Sequence, residues 1–268
     1  MSAVVWLDGL LMAADQARID PADRGFLLAD GLFETIKVTG GTVWHLGRHL
    51  TRLRAGAELL GLPVPFGDAA IGDGIFGLLA ANQLRDAAVR LSLSAGVGPR
   101  GLMRPSPPRP VTMLSAAELM GPLSPARLVV ARSTRRNEHS PLSRIKALGY
   151  GDQILARREA AARGADDAIL LNGAGEIAGA SVANLLLHDG ARWLTPPVAG
   201  GALPGIGRGM LIEAGLVQEQ TLFPEDLNSA VQLLLINSLA EREVTEAENM
   251  VFIPRPELLA PLLRVLQP

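Results

Sequence analysis

The chain has 268 residues, 48% of them hydrophobic and 19% charged, with a formal net charge of −2 and no cysteine. That length suits one large or two medium domains. The near-neutral charge argues against a general nucleic-acid binder, whose phosphate contacts need a basic face, and the missing thiol excludes disulfides, thiolate catalysis and cysteine-held zinc.

No apolar run approaches the roughly 20 residues that cross a bilayer, and the first residues carry Asp8 and no basic leader. A soluble, cytoplasmic protein that binds neither membrane nor nucleic acid is expected. Along the chain, residues 4–7 and 10–12 flank Asp8-Gly9, a hairpin pattern. A loop over 19–25 precedes a strand over 32–38. Alternation there puts Phe33, Thr35 and Lys37 on one face and Leu32, Glu34, Ile36 and Val38 on the other. Leu46, Leu50, Leu53, Ala57 and Leu60 recur at helical spacing and predict a helix that Pro63 and Pro65 stop. A second helix over 69–82 and a strand over 88–94 follow. The Gly-, Pro- and Arg-rich stretch 96–110 reads as a long loop, and 111–114 as a strand.

These elements make a smaller N-terminal domain, 1–117, joined by a linker, 118–126, to a larger domain, 127–268. The second half is expected to hold strands at 128–131, 168–171, near 177, 182–187, 193–194, near 217 and 231–236. Helices are expected at 150–162, 207–214, 224–228 and 256–266. Strands and helices mix in both halves without a regular βαβ rhythm, so the fold class is α+β or mixed α/β.

Only two of the 25 basic residues are lysines, Lys37 and Lys146. Codon bias accounts for an arginine excess as such, but not for which lysines survive. Lys146 sits among Ile145, Ala147 and Leu148 just before a predicted helix, where partial desolvation lowers an amine's pKa and favours covalent chemistry with a carbonyl. The same local sequence also suits an amphipathic lysine that reaches solvent. Lys37, in mid-strand, reads as a solvated strand residue. His45 and His49 are four apart on a helix, but no third ligand lies nearby and no metal site is expected.

Seven segments, taken in order, resemble the fold-type IV (class IV) pyridoxal-phosphate aminotransferase and lyase family. They are Asp23-Arg24-Gly25, Gly31-Leu32-Phe33-Glu34-Thr35, Arg48-His49-Leu50-Thr51-Arg52-Leu53, Ser143-Arg144-Ile145-Lys146, Asn184, Pro204-Gly205-Ile206-Gly207-Arg208 and Asn237-Ser238-Leu239. The resemblance spans about Val4 to Val244 and implies the two-domain D-amino-acid aminotransferase-like fold. It implies that Lys146 bonds covalently to pyridoxal 5′-phosphate and then acts as acid and base at the substrate Cα. It also implies that Arg52 binds the phosphate, as a planar fork can, helped by the backbone amides of Ile206 and Gly207 at a helix N-terminus. Ser238 and Tyr150 match further cofactor positions, and Phe33, Arg100 and Asn237 match substrate positions. A homodimer with a small amino substrate is expected by the same resemblance.

One departure stands out. The family places a glutamate five residues before the residue matching Asn184, where its carboxylate keeps the pyridine nitrogen protonated. Here that position is Gly179. Glu176 lies three residues earlier, and on a regular strand that odd offset puts it on the opposite face; a bulge at Gly179 is the added feature that could bring it round. A weakened electron sink hurts transamination more than a lyase reaction driven by aromatisation. Together with Asn237-Ser238-Leu239, Phe33 and Arg100-Gly101, this favours similarity to 4-amino-4-deoxychorismate lyase, which releases pyruvate and 4-aminobenzoate, a folate precursor. A class IV aminotransferase for D-amino or branched-chain amino acids is the alternative, and a non-catalytic homologue a second one.

Overall fold

Asp8 and Gly9 both take positive φ, 46° and 95°, the twist-matched turn of a tight hairpin. They join β1 (Val4–Leu7) to β2 (Leu10–Ala13) in the computed structural model, which describes residues 3–267. The chain divides into two units, Met1–Met120 with Ile145–Gly149, and Gly121–Arg144 with Tyr150–Pro268. The sequence boundary at 118–126 left Lys146 in the C-terminal part; in the structure its segment returns to the first unit.

In the first unit, β3 (Gly31–Thr39), β4 (Thr42–Val43), β5 (Ala87–Ser94) and β6 (Val111–Glu118) complete a six-stranded sheet in the order β2-β1-β6-β5-β3-β4. Every pairing in it is antiparallel. Helices α2 (Leu46–Leu60) and α3 (Asp68–Ala81) supply Leu50, Leu53, Ile71, Ile75 and Leu78 to a core with Ile36, Val38, Val89 and Leu91 of the sheet. The face assignment from alternation on β3 therefore holds: Ile36 and Val38 are fully buried beneath the helices.

Three local elements differ from the sequence reading. Residues expected in a loop form α1 (Arg24–Leu28), because the Asp23 carboxylate accepts from the amides of Gly25 and Phe26 and supplies the missing N-cap. Strand β6 continues to Glu118, using part of the stretch read as linker. The loop after β5 is long as expected, but it is anchored. Buried Arg24 donates to the carbonyls of Gly101, Leu102 and Met103 and pairs with Asp30 at 2.9 Å. Arg104 pairs with the same Asp30 and donates to the Leu60 carbonyl.

The second unit carries a nine-stranded mixed sheet. Its path is β12 (Val217–Glu219), β11 (Trp193–Thr195), β10 (Asn184–His188), β13 (Gln232–Ile236), β14 (Glu241–Ala247), β7 (Ala126–Val130), β8 (Asp167–Leu171) and β9 (Ile177–Ala180), with β15 (Met250–Val251) beside β14. Pairs β11/β12, β14/β7 and β7/β8 are parallel. Helix α4 (Gly151–Ala162) packs alanines against one side, while α5 (Ile206–Glu213) and α6 (Pro256–Leu266) close a separate cluster around Leu186, Trp193 and Leu234. The charged run Glu241-Arg242-Glu243 is part of β14. Only Val244 and Ala247 of that strand are buried, and Glu246 pairs with Arg127. Among the described residues no helix is long and apolar enough to cross a membrane, and no cluster of three potential metal ligands occurs.

Candidate active site

Strand β4 covers only the C-terminal end of β3, leaving the backbone of Gly31 and Phe33 unpaired on that edge. An open edge invites a further strand, and the lysine segment supplies it. Phe33 N–H donates to the Lys146 carbonyl at 3.0 Å, Leu148 N–H donates to the Gly31 carbonyl at 3.0 Å, and Leu32 bridges Ala147 in antiparallel sense. Opposed residues in such a pair share a face, so the Lys146 side chain lies over Phe33. Its Nζ is 4.3 Å from the Phe33 ring centroid. The Arg90 guanidinium, reaching from β5, is 3.8 Å from the same centroid.

Burial lowers the Lys146 amine, and the positive charge of Arg52 lowers it further against the opposing pull of Glu34, to about 8. About a tenth of the amine is then unprotonated at pH 7, far more than for an ordinary lysine, and a nucleophilic lysine needs that free-base form. The side chain is partly buried, with its amine over the Phe33 ring.

On the opposite face of β3, Glu34 is buried with 1% of its side chain exposed. Arg52 of α2 meets it in a two-pronged pair, Nε to Oε1 at 2.8 Å and Nη2 to Oε2 at 2.6 Å. One turn back on the helix, His49 Nδ1 lies 2.7 Å from Oε2. Burial raises the Glu34 carboxyl, but the hydrogen bonds from Arg52 and His49 outweigh it and hold the group below its usual range. Burial lowers His49 in spite of Glu34. A neutral imidazole facing a carboxylate must donate, so Nδ1 carries the proton. Sequence reading gave Arg52 but missed Glu34, His49 and Arg90; the signal available was Glu34 standing among Leu32, Ile36 and Val38 on the apolar face of its strand.

In the second unit, the Asn184 side chain donates to the Leu203 carbonyl at 2.9 Å. Its Oδ1 lies where a Cβ at Gly205 would come within 2.0 Å, so only glycine fits against it. Gly205 is the N-cap of α5 and has no side chain to cap it. The first amides of a helix have no acceptor within it, and at Ile206 and Gly207 they are presented without a competing cap, a standard setting for an anion. Tyr150 stands at the N-cap of α4. Ser238 lies in the β13/β14 turn, where the Asn237 side-chain oxygen accepts from the amides of Leu239 and Ala240 at 2.8 and 3.1 Å. That turn geometry explains Asn237 without a substrate. Arg100 is exposed on the anchored loop and makes no hydrogen bond or ion pair among the described residues.

Gly179 is settled by the backbone. It takes φ +141° in a buried strand, a conformation that side-chain-bearing residues rarely adopt. The β8/β9 register slips there: Leu170 pairs with Gly179 but Leu171 with Ile177, which leaves Ala178 as a bulge. The bulge breaks the two-residue alternation between Gly179 and Glu176, which itself lies just outside the strand. The Glu176 carboxylate accepts from the Asn172 amide at 2.7 Å. Gly179→Glu is therefore expected to cost about 1–3 kcal/mol through backbone strain, read as a lower thermal midpoint, in place of the gain that simple restoration of a carboxylate would bring.

The sequence pattern described as Amino-transferase class IV matches residues 31–247. The chain belongs to the class IV aminotransferase family. It is 31% identical over 245 residues to the "Putative branched-chain-amino-acid aminotransferase" of Methanocaldococcus jannaschii, covering 88% of this chain and 85% of that one. It is 28% identical over 215 residues to the aminodeoxychorismate lyase of Bacillus subtilis, covering 78% and 73%. The branched-chain aminotransferase structure from Thermoproteus uzoniensis superposes with a TM-score of 0.91 at 25% identity, covering 99% of this chain and 95% of that one. The mixed α/β fold with two sheets is thus that of the class IV enzymes. The family uses pyridoxal 5′-phosphate, and the residues present suit it at two points: an amine of lowered pKa, and an uncapped helix N-terminus seated on a glycine. At Gly179 they do not supply the carboxylate expected for the ring nitrogen.

Proposed function

We propose that this chain is a pyridoxal-phosphate-dependent aminotransferase, moving an amino group between an amino acid with an apolar or small side chain and a 2-oxo acid. The observation that carries the reading is Lys146, the partly buried amine of pKa about 8 held over Phe33. The similarity over most of the chain to the M. jannaschii protein supports the aminotransferase in preference to a lyase. Bound there, pyridoxal phosphate supplies an aldehyde that takes up amines and a ring that accepts the electron pair released when the Cα–H bond breaks.

The chain's own residues do the rest. Lys146 would hold the cofactor through its amine, and the same Nζ, once free, is the base placed to take the proton from the substrate Cα and the acid placed to give it back. Arg52 is assigned to the phosphate. The same reading gives cofactor contacts to Ile206, Gly207, Ser238 and Tyr150. Phe33 excludes water beneath the amine, and Arg90, stacked on the same ring, suits the carboxylate of the amino acid. Arg100 is a second candidate for that carboxylate.

The lyase is the second reading, favoured specifically by Gly179, since a ring nitrogen without its carboxylate burdens transamination more than loss of pyruvate from an aromatising ring. The test supplies 2-oxoglutarate with L-leucine, L-valine or D-alanine, and 4-amino-4-deoxychorismate in parallel. Glutamate formation without 4-aminobenzoate supports the aminotransferase; 4-aminobenzoate and pyruvate without glutamate overturn it for the lyase. A holoprotein that turns over none of these substrates leaves the non-catalytic homologue.

A further inference from the structure

The Glu34, His49 and Arg52 side chains form a buried polar cluster in the first unit, with 1%, 2% and 12% of the three exposed. Burying a carboxylate and a guanidinium costs solvation that an apolar pair would not, and the surrounding core already packs Ile36, Leu50 and Leu53. What the ions add is direction. An arginine has four side-chain torsions, and a two-pronged pair to a fixed carboxylate holds its planar fork in one orientation. Glu34 is itself fixed: it sits mid-register on β3, opposite Leu91 of β5, and His49 donates to Oε2 from the helix turn preceding Arg52.

We propose that Glu34, steadied by His49, is a positioning residue that orients the Arg52 guanidinium for the cofactor's phosphate, so that affinity for the phosphate group depends on a carboxylate that never touches it. The proposal rests on the reading of Arg52 as a phosphate ligand. Its signature is selective. A residue that merely supports the fold affects every ligand of the site alike, whereas one that orients Arg52 affects only ligands carrying the phosphate.

The experiment compares pyridoxal 5′-phosphate with pyridoxal, which lacks the phosphate, by equilibrium titration of the absorbance change in the full-length apoprotein, for wild type, Arg52→Gln, Glu34→Gln, His49→Gln and Glu34→Gln/Arg52→Gln. Glu34→Gln is expected to weaken pyridoxal phosphate about 10-fold or more and pyridoxal less than about 3-fold, with His49→Gln intermediate. The double variant is expected to bind no more weakly than Arg52→Gln alone, because Glu34 acts through Arg52. Equal weakening of both ligands by Glu34→Gln and by His49→Gln, or additive losses in the double variant, would overturn the proposal while leaving Arg52 as a phosphate ligand. If Arg52→Gln itself keeps the full preference for the phosphorylated ligand, the reading of Arg52 fails and the proposal with it. Should Glu34→Gln not fold, His49→Gln removes the histidine's hydrogen bond to the carboxylate and gives the same comparison.

Discussion

Replacing Lys146 by alanine, or by arginine, is expected to abolish covalent capture of pyridoxal phosphate and to lower amino-group transfer by about 10³-fold or more. Arginine keeps the charge over Phe33 but cannot form a carbon–nitrogen double bond with the cofactor, so it separates nucleophilicity from charge. Borohydride treatment followed by peptide mapping gives the check: wild type should carry the reduced cofactor on Lys146, the variants nowhere. Turnover by either variant near the wild-type rate would remove Lys146 from the mechanism. The lowered amine also fixes a pH dependence. Burial holds Lys146 near 8 against its ordinary 10.5, so cofactor uptake should rise up to about pH 8 and level off above it. The folded apoprotein binds fewer protons than the unfolded chain between about 8 and 10.5, and this residue's contribution to stability therefore rises with pH across that window.

The second large effect is structural. Gly205→Val should destabilise the second unit by about 2–4 kcal/mol, because the added Cβ would fall 2.0 Å from Asn184 Oδ1. The backbone at Gly205, φ −68° and ψ 146°, would accept any residue, so space alone forbids the side chain. Asn184 must then swing away and release the Leu203 carbonyl, and the start of α5 moves with the turn. The prediction is a thermal midpoint lower by several degrees together with weaker pyridoxal-phosphate binding. A variant with unchanged midpoint and unchanged affinity would show that the Asn184 contact does not hold the turn.

Both effects arise at positions whose residue type was visible in the chain but whose reason was not. Gly205 could be seen as part of a Pro-Gly-Ile-Gly turn entering a helix, yet a Gly-X-Gly turn is common. What makes the glycine obligatory is an asparagine 21 positions away in the chain, delivered by β10 of a different sheet pairing. Gly179 illustrates the reverse case. Strand alternation put Glu176 and Gly179 on opposite faces, and a one-residue bulge at Ala178 removes the regular alternation on which that assignment rests. A bulge changes the two-residue period locally without leaving a reliable mark in sequence.

The long periodic elements were legible because each is set by its own pattern. The helix over 46–60 follows from leucines spaced for one face, the strand at β3 from alternation, the final helix from Pro256 and its apolar stripe. The short α1 depended on a single capping carboxylate, and β14 carries only two buried residues, so neither rose above its polar surroundings. The sequence by itself determined that covalent amine chemistry had two candidates and that one of them lay in a family pattern. Only the tertiary structure decided what surrounds that amine. Strand β4 stops short, the edge of β3 accepts the lysine segment as a partner, and this places Nζ over Phe33 beside Arg90 while Arg52 locks onto Glu34 from the other side. Neighbours along the chain fix backbone preference; the pKa of this partly buried amine is shifted by Arg90, Arg52 and Glu34, which folding brings from 56, 94 and 112 residues away.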